Sequence, residues 1–218
     1  MSAAETLVNV LIWAPPVILA ITVHEMGHGW MARRLGDPTA ERLGRLSPNP
    51  LRHLDPIGSI LVPGLLYLTK AGFLFGWAKP VPVDWRNFRR PRHDMALVAV
   101  AGPGANLLML LGWVGAFWLA LIVGPIVPPL GHLLISMGQA GIIINSVLIA
   151  LNLLPLPPLD GSRILTALLP LDLAIKYNRL EPYGLIIVVL LMMTGLLGYF
   201  VLPLLAVMEG LVRILLPG

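Results

Sequence analysis

The chain contains no cysteine, which excludes both a disulfide framework and a thiolate metal site, so any metal has to be held by His, Asp or Glu. Charge is scarce too: 12% of residues are Asp, Glu, Lys or Arg, against 57% hydrophobic residues and a mean hydropathy of +0.83. No stretch is polar enough to make a separate soluble domain, and no internal repeat or low-complexity tract is visible. No basic run alternates with aromatics, so the formal net charge of +4 is read as loop charge facing anionic lipid, and nucleic acid is not expected as a partner. Met1 to Thr6 lack the basic region of a cleavable signal peptide, and the apolar segment behind them is read as a retained span.

What is present is apolar sequence in lengths that suit a bilayer, whose hydrocarbon core of about 30 Å needs roughly 20 apolar residues per helix. Such segments fall at residues 7–35, 95–123, 133–154 and 185–216, the last crossing once or twice, with a shorter one at 57–68. Arg33 and Arg34 close the first segment, and Arg42, Arg45 and Arg52 follow it, which places its C-terminal end in the cytoplasm. A second basic group, Arg86, Arg89, Arg90 and Arg92, would lie on the opposite face if the short stretch crossed fully. A re-entrant excursion through 57–83 removes that conflict, and irregular backbone at such depth would line an internal site; a complete crossing is the alternative. The expectation is an all-α polytopic membrane protein, one membrane-embedded domain over 1–218, with about 4–6 transmembrane helices and a re-entrant or β-hairpin-like segment near 57–83.

Inside the first segment, His24, Glu25, Met26, Gly27 and His28 spell H-E-x-x-H. Residues four apart on a helix lie roughly 40° apart around its axis, so both imidazoles reach one ion, while Glu25 sits about 100° from His24 and addresses a water rather than the metal. Ionisable groups near mid-membrane cost about 2.5–3.5 kcal/mol each on insertion scales, so apolar sequence would not gather three of them by chance. A catalytic zinc takes three protein ligands, and Asp160 is the best third. It follows the return helix, in the stretch Asn152-Leu-Leu-Pro-Leu-Pro-Pro-Leu-Asp160-Gly161, and so arrives on the side where His24 and His28 lie. The plainer alternative makes Asp160 an N-cap of the short helix behind it. His53 and His93 sit in basic loops, where a solvated or lipid-headgroup role is expected rather than metal binding. Asn106 and Asn145 fall inside apolar helices, where a buried amide needs partners; they are assigned mainly to helix packing, with Asn106 also able to face the catalytic cavity.

H-E-x-x-H in one membrane helix with N-x-x-P-x-P-x-L-D-G far downstream, here Asn152, Pro155, Pro157, Leu159, Asp160 and Gly161, resembles the site-2 protease family of intramembrane zinc metalloproteases. Gly76-Trp-Ala-Lys-Pro-Val-Pro-Val83 and Ala101-Gly-Pro-Gly-Ala-Asn106 are similar to the small prokaryotic members. The resemblance implies one Zn2+ per chain on His24, His28 and Asp160, Glu25 as catalytic base, and Asn152 as an aid to substrate or transition-state binding. It implies a prokaryotic inner-membrane endopeptidase, its site toward the cytoplasm, that cuts membrane proteins in or near a transmembrane segment. A substrate helix must unwind to expose its peptide bonds, and backbone pairing with residues 72–83 is the expected means. Family members often carry an extra helix before H-E-x-x-H and a periplasmic PDZ domain; here only Met1 to Thr6 precede the first span, and no PDZ domain is expected within the 218 residues.

Two alternatives stand beside this reading. Intramembrane charges and proline-broken helices also mark transporters and channels, although no inverted repeat is visible and transport gives no reason for the H-E-x-x-H spacing. A scaffold that keeps the fold without the chemistry is the other, against which stands the presence of all four expected groups.

Overall fold

The computed structural model describes residues 3–69 and 76–216. Its α-helices are α1 (Ala3–Arg34), α2 (Thr39–Arg42), α3 (Val62–Leu68), α4 (Pro91–Val123), α5 (Pro128–Asn152), α6 (Asp160–Leu168), α7 (Leu171–Asn178), α8 (Gly184–Met193) and α9 (Leu197–Leu215). Among the described residues four helical stretches, Glu5–Arg34, Pro91–Val123, Pro128–Asn152 and Leu197–Leu215, are long and apolar enough to cross a bilayer, with mean hydropathies of 2.0, 2.1, 1.9 and 1.7. No strand occurs among the described residues. The chain is an all-α polytopic membrane protein.

The helix ends follow from local chemistry. Gly36, at φ 108°, supplies the left-handed residue that stops α1 just after Arg33 and Arg34, a conformation costly for any residue with a Cβ. Pro91 and Pro128 open α4 and α5, where a missing N–H costs nothing.

Helix α4 is the centre of the bundle and touches α1, α5 and α6. Small residues let the backbones approach: a Cβ on Gly27 would stand 2.7 Å from the Ala101 carbonyl, closer than side chains tolerate, so α1 crosses α4 only because this position is bare. Away from the arginine-rich loops, Leu110, Val114, Ile142 and Ile149 form a buried cluster, against which Met208 and Val212 of α9 pack.

The re-entrant expectation holds for the described residues. Residues 56–68 form a π-helical turn and α3, about 20 Å long at 1.5 Å per residue and short of a 30 Å core. By Trp77 the chain is back where it left: Trp77 N–H donates to Gly58 O (3.1 Å), Ser59 Oγ to Trp77 O (2.9 Å), and Lys79 N–H to His53 O (2.9 Å). Entry and exit therefore lie on one side. Residues 70–75 fall outside the described residues, and from Gly76 to Asp84 the chain has no regular structure.

The last apolar region goes one way. A Cβ at Gly184 would collide with the Pro157 carbonyl, which puts the start of α8 beside the Asn152–Gly161 stretch, while Trp118 Nε1–H donates to Leu215 O (3.0 Å) at the far end of α4. One crossing, broken at Gly195 (φ 74°), replaces the open choice between one and two.

Candidate metal centre

His24 and His28 lie one turn apart on α1, their rings edge to face with centroids 4.6 Å apart. Their Nε2 atoms approach to 3.0 Å. The Asp160 carboxylate closes the group, Oδ2 lying 3.3 Å from His24 Nε2 and Oδ1 3.4 Å from His28 Nε2. Two close approaches bring it there. A Cβ on Gly102 would strike both imidazoles, and one on Gly161 would strike the carbonyls of Leu153 and Leu154. The first lets α4 pass under the histidines; the second seats the start of α6 on the end of α5.

Asp160 is the first residue of α6, and Leu159 holds the N-cap position without a side-chain bond. The capping alternative therefore does not describe this carboxylate, which faces the imidazoles instead. Asp160 Oδ2 is buried and accepts no hydrogen bond, a costly state for a carboxylate unless a cation completes it.

The donor set fits zinc. Zn–N and Zn–O bonds of about 2.0–2.2 Å in tetrahedral geometry put ligand atoms about 3.3 Å apart; the two Nε2 atoms here are 3.0 Å apart, and each has one Asp160 oxygen beside it, Oδ2 at 3.3 Å from His24 and Oδ1 at 3.4 Å from His28. The Val98 carbonyl can only accept, so His28 Nδ1–H donates to it (2.7 Å), leaving the Nε2 lone pair for the ion. His24 Nδ1 lies 2.6 Å from Asn106 Oδ1.

Glu25 points elsewhere, as its place on the helix requires. Its Oε2 accepts the backbone N–H of Val81 at 2.8 Å. The strap that carries Val81 is tied down along its length: Arg45 Nη2 donates to Lys79 O (2.7 Å), and the Asp84 N–H donates to Asp37 Oδ2 (2.7 Å). Asp37 is fully buried and also accepts from the Asn87 amide (2.8 Å) and the Thr39 backbone N–H (3.1 Å). Burial works to raise its pKa, but hydrogen bonds from the Thr39 hydroxyl, the Asn87 amide and the two backbone amides hold the carboxyl below its ordinary 3.8.

Asn152 ends α5 and donates through Nδ2 to Leu148 O (3.0 Å) in its own helix; no described bond joins it to the His24, His28 and Asp160 group. His53, expected among solvent or lipid headgroups, is buried at 1% exposure, because Nε2 bonds the Ser47 carbonyl (2.9 Å) and its own carbonyl holds the strap. His93 does face solvent, its side chain 57% exposed. Asn106 faces the metal centre, the lesser of its two assigned roles, and Val81 was missed altogether, since a backbone donor leaves no mark in sequence.

A helical membrane bundle that brings H-E-x-x-H together with a third, acidic side chain fits a membrane zinc metalloprotease. The chain belongs to a zinc metalloprotease family: it is 41% identical over 192 residues, 87% of its length and 83% of the relative's, to the Bacillus subtilis protein named "Putative zinc metalloprotease YwhC". The Mycolicibacterium smegmatis protein named "Putative zinc metalloprotease Rip2" is 32% identical over 186 residues, 83% of this chain and 66% of that protein. Rip2 of Mycobacterium tuberculosis is 30% identical over 145 residues, 66% of this chain and 52% of that protein. No family model and no solved structure matches the chain.

Proposed function

We propose that the chain is an intramembrane endopeptidase of the site-2 protease type, a single membrane-embedded domain that hydrolyses peptide bonds in or near transmembrane segments of other membrane proteins. The observation that carries this is the convergence of His24, His28 and Asp160 within a bundle of bilayer-length helices, beside a glutamate that is not one of the three. The arginine-rich loops at that end of the bundle support a cytoplasm-facing site in a prokaryotic inner membrane.

Zinc, when bound to these three side chains, supplies Lewis-acid activation of water and of the scissile carbonyl. Glu25 takes the proton of the attacking water and returns it to the leaving amine. Because Val81 N–H holds Oε2, Oε1 is the oxygen left for that proton. Asn152 is assigned to the substrate carbonyl oxygen through the second N–H of its Nδ2, the first being given to Leu148 O.

The strap shapes the substrate's path. The N–H groups of Trp77, Lys79 and Val81 are already spent within the protein, and Pro80 and Pro82 have none to offer. Trp77 O and Lys79 O already accept from Ser59 and Arg45, so a substrate strand laid along this strap pairs more sparsely than in a regular ladder.

Asp160→Ala tests the assignment in proteoliposomes that contain a single-span substrate. The proposal expects loss of both bound zinc and cleavage. Full zinc occupancy in that variant would remove Asp160 from the site and the proposal with it.

A further inference from the structure

Asn106 and Asn145 are fully buried in apolar helices, and their bonds have a direction. The Gly141 carbonyl can only accept, so Asn145 turns Nδ2 to it (2.7 Å) and presents Oδ1 to α4. Asn106 turns Nδ2 to that oxygen (2.9 Å) and to the Ala20 carbonyl (3.1 Å). Two acceptors on one side hold the amide nitrogen there, so Oδ1 must face His24 Nδ1 (2.6 Å). An acceptor at that distance requires Nδ1–H, and a neutral imidazole has only one N–H. The Nε2 that remains bare is the one aimed at Asp160.

From this we infer that Asn106 is a positioning residue, oriented by Asn145, which selects the His24 tautomer able to bind metal. The inference rests on the reading of His24, His28 and Asp160 as ligands. His28 reaches the same state through a backbone carbonyl, Val98 O, which no side-chain replacement removes. His24 depends on a relay that starts at a carbonyl of α5, passes through α4 and ends on α1. The docking of three helices is thereby coupled to the readiness of one ligand, and His28 serves as the internal control.

The test uses full-length protein in detergent as wild type, Asn106→Leu and Asn145→Leu. Zinc affinity is read by chelator competition, and histidine tautomers by 15N shifts of the zinc-free protein. Asn106→Leu should bind zinc about 10–100-fold more weakly, the usual range for loss of such a partner, with His24 moving toward the Nε2–H form and His28 unchanged. Asn145→Leu should show a smaller loss in the same direction, because Ala20 O still holds the Asn106 amide. Wild-type affinity with His24 still in the Nδ1–H form in a folded Asn106→Leu protein would overturn the relay. If that variant does not fold, Asn145→Leu decides: unchanged affinity and tautomer overturn the relay. Failure of wild type to bind zinc would instead overturn the ligand reading, while the 15N shifts would still report on the relay.

Discussion

Val81 N–H reaches the Glu25 carboxylate at 2.8 Å, so a strap outside the long helices fixes the direction of the proposed base. Val81→Pro deletes that donor between two existing prolines. A hydrogen bond to a charged group is worth about 1.5–3 kcal/mol net, and cleavage should fall roughly tenfold or more with zinc content unchanged. Assay of both quantities on one preparation checks this; full activity would show that the contact does not direct Glu25.

Gly102→Ala inserts a methyl group where α4 passes the two imidazoles. Overpacking of this kind costs about 1–3 kcal/mol, and the histidines are the atoms that have to move. Zinc affinity should drop by roughly one to two orders of magnitude, while Gly104→Ala, at a glycine with open space around it, should bind zinc as wild type does.

Asp37 contributes a pH dependence. Its folded pKa lies below the ordinary 3.8, so the unfolded chain binds more protons in the window between the two values. Stability from this group is complete above the ordinary value and is lost as pH falls through the folded one. Thermal melts taken downward from neutral pH should show a fall below about pH 4 that is shallower in Asp37→Asn, which should also melt lower at neutral pH. Parallel curves for the two proteins would exclude Asp37 as the source.

The four bilayer-length helices and the H-E-x-x-H face were legible in sequence because both are local: hydropathy needs only a window, and residues 24 and 28 share a face wherever the helix goes. Asp160 was reached through depth, since a return helix has to end on the side where the first one ends. The rotation of α4 was not legible. Gly102 under the imidazoles and Asn106 beside His24 depend on which stripe of an almost uniformly apolar helix faces α1, and hydropathy gives no phase there. His53 was misplaced for a related reason. A basic loop reads as solvated, yet this one folds under the strap and uses the histidine to hold it.

The most direct test of the central claim measures cleavage of a model transmembrane substrate by purified wild type and Glu25→Gln, with zinc counted in both. The account predicts that wild type cuts, that the variant does not, and that each holds one zinc. Undiminished cleavage by Glu25→Gln, or a wild type that takes up no zinc when it is supplied, would contradict it.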